Sequence, residues 1–298
     1  VNTPARLGAF GLALVAVFGA ALGLGRTIGP DASPDGNTPA SPAAHAAHGA
    51  QHDGAADENP DDPTGLQITE DGYTLAPLTD TLGTGAPRPF QFRIIGPDRR
   101  AVTAFTPTHE RELHLIVVRR DLTGYQHLHP RRAADGTWET PLAVAAPGDY
   151  RVFADFHPAG RDEPLTLGAD LPAAGDYRPL PLPAPAGSDT VDGYTVTLHG
   201  EIAAGEPARL TVDIAENGAP VTDLEPYLGA RGHLVALRDG DLAYLHVHPV
   251  DGPELGFDVE IPSPGTYRLF LEFQHRGTVR TAEFTMTTEH GEPGHTHG

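Results

Sequence analysis

The stretch GHLVALRDGDLAYLHVHP, residues 232–249, sets two alternating apolar runs on either side of an Asp-Gly dipeptide. Asp-Gly favours the two-residue type I′ turn that closes a β-hairpin. With Asp239 and Gly240 as the turn, Arg238 faces Asp241 and His233 lies across from His246, while His248 projects from the same face two residues further on. Opposed Cβ atoms in such a ladder are about 4.5–5.5 Å apart and diagonal ones about 7–8 Å, so three imidazoles can converge on one point.

The same phrase occurs earlier as LHLIVVRRDLTGYQHLHP, residues 113–130. Residues 102–130 align with 221–249 without a gap, and ten of these 29 positions are identical. Each copy opens on a shared element, DGYTL at 71–75 and DGYTV at 192–196, and closes on another, PGDYRVFADF at 147–156 and PGTYRLFLEF at 264–273. The chain is an internal duplication. A turn at Arg120-Asp121 places His114 opposite His127, with His129 on the same face. Outside the N-terminus the texture is short alternating runs broken by Gly, Pro and Asp, which predicts a mostly β chain of two tandem immunoglobulin-like antiparallel β-sandwiches, over 66–171 and 189–288. A small open barrel is the alternative that periodicity leaves standing. Residues 172–188, rich in Pro, are expected to be an extended, stiff spacer.

A divalent metal held by neutral imidazoles needs donor nitrogens about 2.0–2.1 Å from the ion on a rigid frame, which a hairpin supplies. The candidate metal ligands are therefore His114, His127 and His129 in the first copy and His233, His246 and His248 in the second. Nitrogen donors, with a carboxylate at most, suit Cu(II), Zn(II) or Ni(II). Asp155 and Glu272 match in the closing strand and are candidates for a fourth ligand or an orienting carboxylate. The competing view is structural: histidines on a sandwich face bonded to backbone or acidic neighbours, with the following Pro ending the strand. His109, His157, His199 and His275 have no matched partners and read as surface residues, while Tyr125 and Tyr244 read as packing residues. HERELH at 109–114 resembles the helical zinc-protease motif, but its second His comes five residues on and the segment runs into a strand.

Composition narrows the function. Of 298 residues none is Cys and one is Met, which removes disulfides, thiolate sites and a thioether-lined Cu(I) site. A formal charge of −20 argues against nucleic-acid and anionic-lipid binding, which need a basic face. Residues 7–25 are uncharged and apolar between Arg6 and Arg26, so 1–29 reads as a transmembrane anchor or signal sequence with the body of the protein extracytoplasmic. Residues 30–65 read as a disordered His/Pro/Ala-rich linker, and 289–298 as a His-containing tail.

The repeated His-Leu…His-x-His-Pro element followed by Pro-Gly-x-Tyr-Arg-x-Phe resembles a group of secreted or membrane-anchored actinobacterial proteins. The resemblance implies a cell-envelope address and a link to heavy-metal handling, and its motif fixes no activity. The leading expectation is a membrane-tethered protein that binds copper or zinc through a His triad in each repeat, buffers the ion or presents it to a transporter, and catalyses nothing. An adhesion or scaffold module with structural histidines is the second reading, and a metalloenzyme with an open metal position the third.

Overall fold

The computed structural model describes residues 64–288, apart from 246, 251 and 253. The anchor or signal segment, the low-complexity linker as far as residue 63 and the tail from residue 289 lie outside the described residues. Among the described residues every regular element is a β-strand, and no helix is long and apolar enough to cross a membrane.

In the first repeat, β1 (Thr69–Glu70), β2 (Tyr73–Pro77), β3 (Arg88–Ile95), β7 (Thr137–Leu142) and β6 (Arg131–Arg132) form one antiparallel sheet in that order. The facing sheet runs β5 (Gln126–Leu128), β4 (Leu113–Arg119), β8 (Gly148–Phe156) and β9 (Leu165–Ala173). The second repeat copies the plan. One sheet is β10 (Ser188–Val191), β11 (Tyr194–His199), β12 (Pro207–Glu216), β17 (Leu255–Glu260) and β16 (Val247–Val250), with β13 (Ala219–Pro220) on β12. The other is β15 (Tyr244–Leu245), β14 (Gly232–Arg238), β18 (Gly265–His275) and β19 (Thr278–Thr288). Lettered along the chain, each repeat is A-B-E-D facing C′-C-F-G, the immunoglobulin strand order. Each also carries that fold's tyrosine corner: the Tyr150 hydroxyl donates to the Ala146 carbonyl at 2.8 Å and the Tyr267 hydroxyl to the Ser263 carbonyl at 2.6 Å.

Alternation fills the two sandwich cores. In the first, Phe90, Phe92 and Trp138 of one sheet meet Leu115, Val117, Val152 and Phe156 of the other. In the second, Val196, Leu210 and Phe257 meet Leu234, Leu269 and Phe273. The opposite faces of the two C′-C-F-G sheets are also covered, because they pack on each other. Ile116, Val118, Leu122 and Phe153 of the first repeat form a third core with Val235, Leu237, Leu242, Tyr244 and Phe270 of the second. All seven residues of β4 are buried. Tyr125 stacks on Phe270 with ring centroids 4.1 Å apart, and Tyr244 meets Phe153 at 5.5 Å, a reciprocal pair of contacts.

The connections reinforce this packing. Thr64 bridges to Tyr244, and the Gly65 amide donates to the Thr166 carbonyl, so one short segment touches an edge of each interfacial sheet. It approaches so closely that a Cβ on Gly168 would lie 2.0 Å from the Gly65 carbonyl oxygen. The Pro-rich stretch 172–188 is bonded to both repeats. The Leu180 amide donates to the Asp121 carboxylate at 2.7 Å, Leu182 packs on the third core, and the Ala186 amide donates to the Thr285 carbonyl at 3.2 Å.

The hairpin register corrects the sequence reading. Leu237 pairs with Tyr244 and Ala236 with Leu245, while in the first repeat Ile116 pairs with His127, so each register is displaced by two residues from the tight-turn expectation. The expected two-residue turn gives way to a wider loop that drives a fully buried leucine into the third core: Leu242 at φ 61° and Leu122 at φ 61°. Arg238–Asp241 and Arg119–Asp121 ion pairs clamp the two loops. Because side chains alternate with period two, a two-residue displacement keeps His114, His127 and His129 on their expected face, whereas the backbone of His248 leaves the hairpin and pairs with Asp258 in the facing sheet.

Truncating Phe270 to Ala should lower unfolding stability by about 3–5 kcal/mol, as for a core aromatic. Chemical denaturation checks this, since independent, unpacked repeats would leave that side chain solvated and its loss nearly neutral.

Candidate metal centre

The histidine face of β4 is the face turned toward the other repeat, so the imidazoles sit at the end of the third core. Two hydrogen bonds fix the rings. His114 Nε2 donates to the Thr108 carbonyl at 3.0 Å, which leaves its Nδ1 as a lone pair 3.0 Å from His127 Nε2. His127 Nδ1 bonds at 2.5 Å to a carboxylate oxygen of Glu272, in the second repeat, and both side chains are buried. His129 follows the end of β5, its ring centroid 5.2 Å from His114 and 4.7 Å from His127. Its Nε2 is buried with no hydrogen-bond partner.

The structure therefore brings His114, His127 and His129 together, with one donor atom of each within 4.8 Å of the others. A tetrahedral ion with bonds of 2.0–2.1 Å separates its nitrogens by roughly 3.3 Å, so small ring rotations would seat one. Two converging imidazole nitrogens and an orphaned third could hold a metal ion, while Glu272 and the Thr108 carbonyl hold the ring nitrogens that face away.

His233 repeats the construction of His114: its Nε2 donates to the Tyr227 carbonyl at 2.8 Å, as His114 does to Thr108. His246 and the side chain of His248 lie outside the described residues. His233 stands 6.4 Å from His127, ring to ring, across the seam between the repeats. A cavity of about 40 Å³ lies there, lined by His109, His114, His127, His233, Asp155 and Tyr244.

Of the histidines read as surface residues, His275 is placed otherwise, and exposed His109 nonetheless borders the cluster. His109 occupies a left-handed turn, φ 47°, with its ring 5.1 Å from His233 and 6.0 Å from His114. Leu228 holds the matching position with φ 52°, so the conformation belongs to the turn and the imidazole is peculiar to the first repeat. His275 is buried and pairs through Nδ1 with the Tyr194 hydroxyl at 2.8 Å. His199 is exposed beside Asp213, and half-buried His157 bonds the Arg161 carbonyl.

Burial holds His114, His129 and His233 neutral. It is the main cause lowering His114 to about 3, with the neighbouring His127 second. Burial and then His127 take His129 to about 3, and burial takes His233 to about 4. Lone pairs are thus available to a cation at neutral pH. Below the ordinary value of 6.5 the unfolded chain takes up protons that these folded rings refuse, so stability rises with pH between about 4 and 6.5 and is lost as pH falls. The metal-free protein should melt at progressively lower temperature across that window. His233→Gln should flatten the fall by at most about 1.4 kcal/mol per pH unit, read by calorimetry at stepped pH.

A comparison with curated proteins finds no sequence match. Among solved structures, the chain is similar to the Escherichia coli adhesin FdeC, at 11% identity over 74% of this chain and 65% of that one, with a TM-score of 0.24. It is similar to a Corynebacterium diphtheriae protein described as membrane anchored, at 12% identity, 73% and 57% coverage and a TM-score of 0.24. Titin domains Z1Z2, solved in complex with telethonin, match at 15% identity, 74% and 98% coverage and a TM-score of 0.19. Likeness at this level says nothing of what the chain does. One family model matches twice, over 68–168 and 189–290, about two thirds of the chain, and the chain belongs to that family, the domain of unknown function DUF8832.

Proposed function

We propose that this is a membrane-tethered, extracytoplasmic protein that binds a divalent transition metal, Cu(II) or Zn(II), and buffers it or passes it to a transporter. The centre is His114, His127 and His129, with His233, His246 and His248 as its counterpart in the second repeat. The observation that carries the reading is the convergence of three imidazole donors within 4.8 Å, one of them a buried nitrogen with no partner. The apolar segment 7–25 and the charge of −20 support the address and the affinity for cations.

A second reading has one observation behind it. Thr108, His114, His127 and Glu272 stand in one line of contacts that needs no ion when His127 Nε2 donates to His114 Nδ1 in place of offering a lone pair. On that reading the histidines cement the repeats of an adhesion or scaffold module.

Titration of the full chain with Cu(II) and with Zn(II) separates the two. The metal reading expects the double variant His114→Ala, His129→Ala to bind at least about 100-fold more weakly, with chelation lowering the melting temperature of the wild type alone. Equal binding by wild type and variant, with melting indifferent to chelator, leaves the structural reading.

A further inference from the structure

The carboxylate that orients the first repeat's histidines belongs to the second repeat. We infer that Glu272 is a positioning residue for the metal centre of the opposite repeat, so that occupancy of the centre depends on the packing of the two halves. This inference rests on the metal reading above.

Glu272 sits on β18 directly across from His233 of its own repeat, and its carboxylate reaches over the seam to His127 Nδ1. Accepting that N–H fixes one tautomer of His127 and turns its Nε2 lone pair toward His114 Nδ1, where an ion would be held. A negative charge behind the ring also makes the facing nitrogen a stronger donor. The first repeat's own residue at the matching strand position, Asp155, pairs across its sheet with His114 and lines the same cavity. The reach is thus set by the third core: Tyr125 on Phe270, two residues before Glu272, holds β18 against the His-x-His strand. A shift of about 1 Å between the sheets would break the 2.5 Å contact and release the ring.

The test uses the full chain with Zn(II), and with Cu(II) followed by electron paramagnetic resonance. Glu272→Gln keeps the shape but loses the charge and the single-tautomer demand, and Glu272→Asp keeps the charge but falls short of the ring. Both should bind about 10–100-fold more weakly than wild type while keeping nitrogen hyperfine structure from imidazole ligands. Glu283→Gln, which breaks the Arg268–Glu283 pair elsewhere in the same sheet, should bind like wild type. That control separates metal positioning from a general loss of sheet stability. Wild-type affinity in Glu272→Gln or Glu272→Asp, with binding still lost in the His114→Ala, His129→Ala double variant, overturns the inference and leaves the metal reading intact. A wild-type chain that binds no more tightly than that double variant removes both.

Discussion

The strands at the middle of both interfacial sheets have no face left for water. β4 and β14 are covered on one side by their own sandwich and on the other by the opposite repeat. An imidazole on such a strand has to find its partners inside the protein, since an unpaired buried polar group costs about 1–3 kcal/mol. The carbonyls of Thr108 and Tyr227, the neighbouring imidazoles and Glu272 are those partners. The histidine cluster and the domain packing are therefore one arrangement.

That arrangement is nearly two-fold in its parts. Tyr125 on Phe270 answers Tyr244 on Phe153, and His114 on the Thr108 carbonyl answers His233 on the Tyr227 carbonyl. The symmetry breaks where chemistry is concentrated. His109 stands where the second repeat has Leu228, and the carboxylates at the matching strand position differ by one methylene, Asp155 against Glu272. On the metal reading, such differences would let one half donate and the other orient.

Much of this was legible in the residues. The twin Tyr-x-His-x-His-Pro phrases announced the duplication, alternation announced strands, and the common face of His114, His127 and His129 followed from period-two geometry. The Asp-Gly dipeptide misled about the turn, because burial of Leu242 outweighed local turn preference; a displacement of two residues left the face unharmed. The docking of the repeats was harder to see. Its trace was LHLIVV, a run apolar on both sides of the strand apart from one His, which is the pattern of a sheet covered on both faces rather than one. Pairing of His127 with Glu272 spans 145 residues, and no local pattern carries a contact of that range.

The segment 64–67 has a mechanical consequence. Thr64 is bonded to Tyr244 of the second repeat, and Gly65 and Gln67 are bonded to the β9 edge of the first. Tension arriving along the backbone ahead of Thr64 would be divided at once between the two halves, instead of loading the nearer one and prising it from its neighbour.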